Sequence, residues 1–179
     1  MLKSYHRRKR QMFKKGDYVV KANTGICIVD DIIMKQLSES FPTKEYYVLI
    51  PLNDEKAKLF VPTASDASNL RIAMNEEAAW NLIRTIPEIE IKWIESDRTR
   101  EKEYKEVIKS NDPASLVSII KNIYLRNKER EEQGKKVTSV DDRYFKLAES
   151  TLYSELAHAL GKERADMKTI INDTIEGIL

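Results

Sequence analysis

The chain has 179 residues, of which 41% are hydrophobic and 34% charged. That suits one large domain or two small ones and excludes a disordered chain. Lys+Arg total 31 against Asp+Glu 29, a net charge of +2, so only local clustering of charge can argue for nucleic acid. A single cysteine excludes an internal disulfide framework, and no apolar stretch approaches the roughly 20 residues of a membrane span. A reducing, cytoplasmic location without membrane contact is expected.

Residues 1–11 carry a basic run, Arg7, Arg8, Lys9 and Arg10, without periodicity. They read as a disordered arm, either solvated or phosphate-binding, or as an artefact preceding a natural start at Met12. From Met12 to Ile72 short β-branched and aromatic runs alternate with turn residues. Tyr18-Val19-Val20, Ile26 to Val29 extended by Ile32 and Ile33, Tyr46 to Ile50, and Leu59-Phe60-Val61 are strands, with Leu70 to Ile72 a candidate last one. This spacing predicts a small antiparallel β-barrel, Tudor-like or SH3-like, over 12–72. Cys27 falls inside an apolar run and is expected to be a buried small hydrophobe.

Helices are predicted over 75–179, making the chain α+β in two domains, with a short hinge around 63–75. Asn75 is a good N-cap, and the first helix passes through Trp80 and Ile83 to stop at Pro87. Ser96 or Asp97 can cap a charged helix ending near Ser110. Asp112-Pro113 opens a third, with Leu116, Ile119, Ile120 and Ile123 on one face. Thr138 with Asp141 resembles a capping box in which each side chain satisfies a free backbone amide. The helix behind it buries Phe145, Ala148, Leu152, Leu156 and Ala159 and ends at Gly161. Met167, Ile170, Ile171, Ile175 and Ile178 mark a last helix.

No catalytic constellation, cofactor-binding motif or metal site is evident. One Cys and two His do not make a ligand set, His158 reading as a partly buried helix residue. The five glycines form no phosphate-binding loop. Binding chemistry remains. Arg98, Arg100, Lys102, Lys105 and Lys109 fall in or near one helix, and Arg98, Lys102, Lys105 and Lys109 share a stripe that can track a phosphate backbone. Interleaved Glu101, Glu103 and Glu106 permit a simply solvated helix, through i,i+4 pairs Glu101–Lys105 and Lys102–Glu106. Trp93 is expected to pack the junction between helices; the alternative is an exposed wedge that stacks on a base or sugar.

The run Phe13-Lys-Lys-Gly16-Asp17-Tyr18-Val19-Val20 with Gly25 resembles the opening of the CarD/CdnL family, an opening shared with the polymerase-binding module of the transcription-repair coupling factor. The likeness continues through Glu45-Tyr46-Tyr47-Val48-Leu49, Val61-Pro62, Tyr104-Lys105, Ile108-Lys109-Ser110-Asn111-Asp112, and Ala148-Glu149 with Leu152 and Glu155-Leu156-Ala157. It implies a non-enzymatic, monomeric bacterial regulator without cofactors. Its Tudor-like module would bind the RNA polymerase β-subunit lobe, partly by strand addition, through Lys35, Tyr47, Leu49 and Phe60. Its helical module would contact promoter DNA at the upstream edge of the bubble, weakly and largely independently of sequence, through Trp93, Arg98, Arg100, Lys102, Lys105 and Lys109. Binding the open promoter better than the closed one would stabilise the open complex. The chain departs from the family pattern at several places. Lys21 to Gly25 replace a Tyr-Pro-x-His-Gly run, Phe60 stands where a basic residue is usual, and Leu147 does the same further along. Arg100 occupies the position of the wedge tryptophan, four residues before Tyr104. The alternative is a polymerase-bound protein adaptor whose helices touch no DNA.

Overall fold

In the computed structural model, the described residues are 13–36, 38–40, 42–64 and 69–177. The basic run of residues 1–11 and Ile178 lie outside them. Five strands come first: β1 (Tyr18–Lys21), β2 (Gly25–Lys35), β3 (Lys44–Pro51), β4 (Leu59–Pro62) and β5 (Leu70–Ile72). They form one sheet of order β4-β3-β2-β1-β5, in which every pairing is antiparallel. Among the described residues no ladder joins β4 to β5, so both are edges. The register shifts between Val29 and Asp31, a bulge that bends the long β2. Alternation along β1 to β4 sends Val19, Cys27, Val29, Tyr47, Leu49 and Val61 into one core together with Phe13. Cys27 is fully buried there, as expected.

The helices are α1 (Glu76–Thr85), followed by a 3-10 turn (Ile86–Glu88), α2 (Asp97–Ser110), α3 (Pro113–Glu132), α4 (Ser139–Leu160) and α5 (Arg164–Ile175). Side-chain caps start four of them: Asn75, Ser96, Asp112 and Thr138 each accept the N–H three residues on. Gly161 in the left-handed region ends α4. A second core joins all five helices through Ile83, Tyr104, Ile108, Leu116, Ile120, Leu152, Leu156, Met167 and Ile171. Trp80 packs partly buried against it. The capping box at Thr138 is half built. Its hydroxyl takes the Asp141 N–H at 3.1 Å, but the Asp141 carboxylate accepts from that same hydroxyl at 2.7 Å and otherwise serves two arginines.

The two modules are joined by polar contacts. Arg71 on β5 donates to both oxygens of Glu155 on α4 at 2.5 and 2.6 Å, and the Met74 N–H donates to Glu155 at 2.8 Å. Asn111, left-handed at φ 55° after α2, donates through Nδ2 to the carbonyls of Val20 and Asn69. Its own carbonyl accepts from Arg71 Nε at 2.6 Å. At Gly25 the strand meets α4 so closely that a Cβ would lie 2.7 Å from Ser154 Oγ. His158 is exposed rather than partly buried, with its ring 4.2 Å from that of Tyr18 across the same joint.

Candidate interaction surfaces

The strand module presents its outer edge at β4, whereas β5 on the other side is engaged by Glu155 through Arg71. Lys35, at the end of β2, lies with Nζ 3.8 Å from the Phe60 ring centroid. The register explains this: Val48 pairs with both Asp31 and Phe60, so Asp31, Ile33 and Lys35 share a face with Phe60. The ring is 36% exposed and forms an apolar floor beneath an ammonium. Two of the sequence-derived contacts are thus brought together. Tyr47 and Leu49 are not available in the same way. Leu49 is fully buried and Tyr47 nearly so. The Tyr47 hydroxyl accepts the Phe13 N–H at 3.2 Å, and its ring meets that of Phe13 edge-on. Both lie on β3, which has a neighbour on each side, so neither offers a free backbone edge. The sequence placed Ile32 in the strand without marking it as surface and passed over Met34; both are exposed on the opposite face of the projecting half of β2. Apolar residues alternating with Asp31 and Lys35 after the bulge were the signal available.

The helical module shows a second exposed feature. Trp93 is 53% exposed, and Ile91 beside it is also exposed. This corrects the expectation that Trp93 packs a helix junction. Residues 89–96 have no regular secondary structure, and their neighbours bury backbone carbonyls rather than the indole. The Lys92 N–H donates to Asn122 on α3, and Lys92 Nζ pairs with Glu103 on α2 at 3.1 Å. The tryptophan segment is therefore tied to the helix that carries the cation stripe.

Along that helix Arg98, Lys102, Lys105 and Lys109 are all exposed. At about 100° per residue they fall on one line, opposite the buried Arg100, Tyr104 and Ile108. Of the four cations only Lys105 has an ion-pair partner among the described residues, Glu101 at 3.2 Å. The anticipated Lys102–Glu106 pair does not form there. Glu101 is shared with Arg143 on α4, and hydrogen bonds from Lys105 and Arg143 hold its carboxyl below the usual carboxylate range.

Arg100 departs most from expectation. It is 2% exposed and cannot present its guanidinium to a phosphate. Its spacing of four from Tyr104 and eight from Ile108 already placed it on the apolar face, a signal the charge run concealed. Nε donates to Asp141 at 3.2 Å, and Nη1 donates to the carbonyls of Ile94 and Glu95 at 2.9 and 2.8 Å. Nη2 donates to Asp97. Asp141, fully buried, also accepts from Arg126 at 3.1 Å. Burial first, and the Asp141 charge second, push the neighbouring Tyr104 hydroxyl up to about 12. Buried charge here is neutralised in pairs, as a low-dielectric interior requires.

Among the described residues no cluster of three or more His, Cys, Asp or Glu could hold a metal, and no helix is long and apolar enough to cross a membrane. Residues 13–73 match the family model described as CarD-like/TRCF RID domain, and residues 83–172 match that of the CarD C-terminal domain. No curated protein matches the chain.

Proposed function

The chain belongs to the CarD family of RNA polymerase-interacting transcription regulators, and from that premise we propose that it bridges polymerase and promoter DNA. The strand module docks on the polymerase β lobe along the β4 edge, with Lys35 and Phe60 facing the partner. Main-chain pairing at the edge supplies affinity, and the cation stacked on an aromatic floor supplies selectivity. The helical module lies at the upstream edge of the transcription bubble. There Arg98, Lys102, Lys105 and Lys109 attract phosphates and Trp93 stacks where bases have parted. Stacking is available only in opened DNA, so occupancy favours the open complex. The chain acts by binding and carries out no catalysis.

The observation that carries this reading is the exposed Trp93 on a segment tied to the cation-bearing helix. Two measurements test it. The full chain is expected to retain an isolated β lobe in a pull-down, and absence of retention would overturn the polymerase contact. Binding to fork-junction promoter DNA should weaken steeply with salt, with a slope of about one unit of log K per cation engaged; a flat response would remove the phosphate contacts. A second reading keeps the polymerase contact and makes the helices a protein adaptor. The Lys105–Glu101 and Lys92–Glu103 pairs favour it, because they neutralise part of the basic field.

A further inference from the structure

The segment that displays Trp93 is held by two buried cations that touch its backbone. Lys121 on α3 is 7% exposed, and its ammonium donates to the carbonyls of Ile86, Pro87 and Ile89 at 2.9, 2.9 and 2.8 Å. Among the described residues it has no carboxylate partner. Its charge is met by main-chain dipoles at the C-terminal end of α1 and the 3-10 turn, where a cation is favoured. Arg100 closes the other end through the carbonyls of Ile94 and Glu95. Asn122 holds the middle by accepting the Lys92 N–H at 3.0 Å.

A cluster that only tied helices together would place its hydrogen bonds between helices. Here all three Lys121 bonds and both Arg100 Nη1 bonds end on carbonyls of 86–95, a stretch that beyond the 3-10 turn has no secondary structure to satisfy them. Asp141 fixes Arg100 from behind and also accepts from Arg126, while Asp97 on Arg100 Nη2 supplies the second carboxylate that offsets the second arginine. The segment is therefore braced at both ends and at the centre, with Trp93 between the braces.

We propose that Lys121 and Arg100, with Asn122, are positioning residues that fix Trp93 for insertion beside opened DNA. The proposal rests on the DNA-facing reading of Trp93 and adds that the indole is preorganised. A fixed wedge loses less conformational freedom on stacking than a mobile one, so bracing the segment strengthens binding without a new DNA contact.

The test reads the segment and the DNA separately. Lys121→Met, Arg100→Lys and the milder Asn122→Ala are compared with the parent protein by NMR relaxation and amide exchange. The Trp93 backbone order parameter is expected near 0.85 in the parent and below about 0.6 in the variants. The Lys92 and Ile89 amides should exchange at least about tenfold faster while α3 and α4 keep their protection. Unchanged order at Trp93 in folded variants would overturn the positioning role. If Lys121→Met or Arg100→Lys loses α3 and α4 protection, Asn122→Ala decides, because its side chain accepts at the protein surface. Open-complex lifetime on promoter DNA is the second readout. Trp93→Ala and Lys121→Met should each shorten it about fivefold or more, the scale of one lost stacking contact. Lys121→Met should add nothing in a Trp93→Ala background; additive losses would overturn the proposal. A lowered order parameter with a lifetime insensitive to Trp93→Ala would uphold the bracing and defeat the DNA reading.

Discussion

Lys35 Nζ rests 3.8 Å from the centroid of the Phe60 ring. Phe60, where the family resemblance implied a basic residue, instead forms the surface on which the Lys35 ammonium sits. The contact is exposed, so its own contribution is small, about 0.5–1 kcal/mol. Its consequence is directional, because the ammonium is held over the face of the sheet beside the free β4 edge.

Phe60→Ala should therefore weaken binding to an isolated polymerase β lobe by about fivefold to tenfold, the cost of one interface anchor. Lys35→Glu should weaken it further and reduce its salt dependence. Calorimetric titration at two salt concentrations checks both, and an unchanged affinity for both variants would place the contact elsewhere.

Glu155 is fully buried and Arg71 only partly exposed, so removing either partner strands a charge at the joint between the modules. Arg71→Met or Glu155→Leu alone should each destabilise the protein by about 3–5 kcal/mol. An Arg71→Met/Glu155→Leu double variant should lose less than the sum of the single changes. Urea unfolding of the four proteins forms the cycle. Strict additivity would show that the two residues act independently.

Burial pushes the Cys27 thiol up to about 11, and the thiolate is the reactive form. At pH 8 the native protein should resist a disulfide reagent, and labelling should rise only with unfolding. Rapid stoichiometric labelling without denaturant would contradict the burial.

Glu101 should titrate in the folded protein below its ordinary value of 4.5. A lowered folded value means that the tie to Lys105 and Arg143 is fully present above that ordinary value. It is lost as pH falls through the lower folded one. Carboxyl NMR titration should show this, with no change in the α2–α4 contact between pH 6 and 8. A Glu101 midpoint above 4.5 would contradict the ion pairs.

Local chemistry made most of the architecture legible. Alternating apolar residues and turn signals placed the strands. Asn75, Ser96 or Asp97, Asp112 and Thr138 marked helix starts because capping acts within three residues, and the structure uses Ser96. The stripe of Arg98, Lys102, Lys105 and Lys109 followed from helical spacing alone. Glu155 and Asn111 were part of the family likeness, yet nothing along the chain assigned them to the joint, because their partners Arg71, Val20 and Asn69 lie 40 to 91 residues away.

What the sequence by itself determined was the strand module, the order of the helices, and the face of α2 that carries exposed cations. Only the tertiary structure decided which charges are available and which aromatic is exposed. Arg100 was counted with the cations although its spacing from Tyr104 and Ile108 put it on the apolar face; its buried partner Asp141, 41 residues on, was not legible along the chain. Trp93 was expected inside because indoles favour cores. It lies half exposed on a segment whose flanking carbonyls, those of Ile89, Ile94 and Glu95, are turned inward to Lys121 and Arg100.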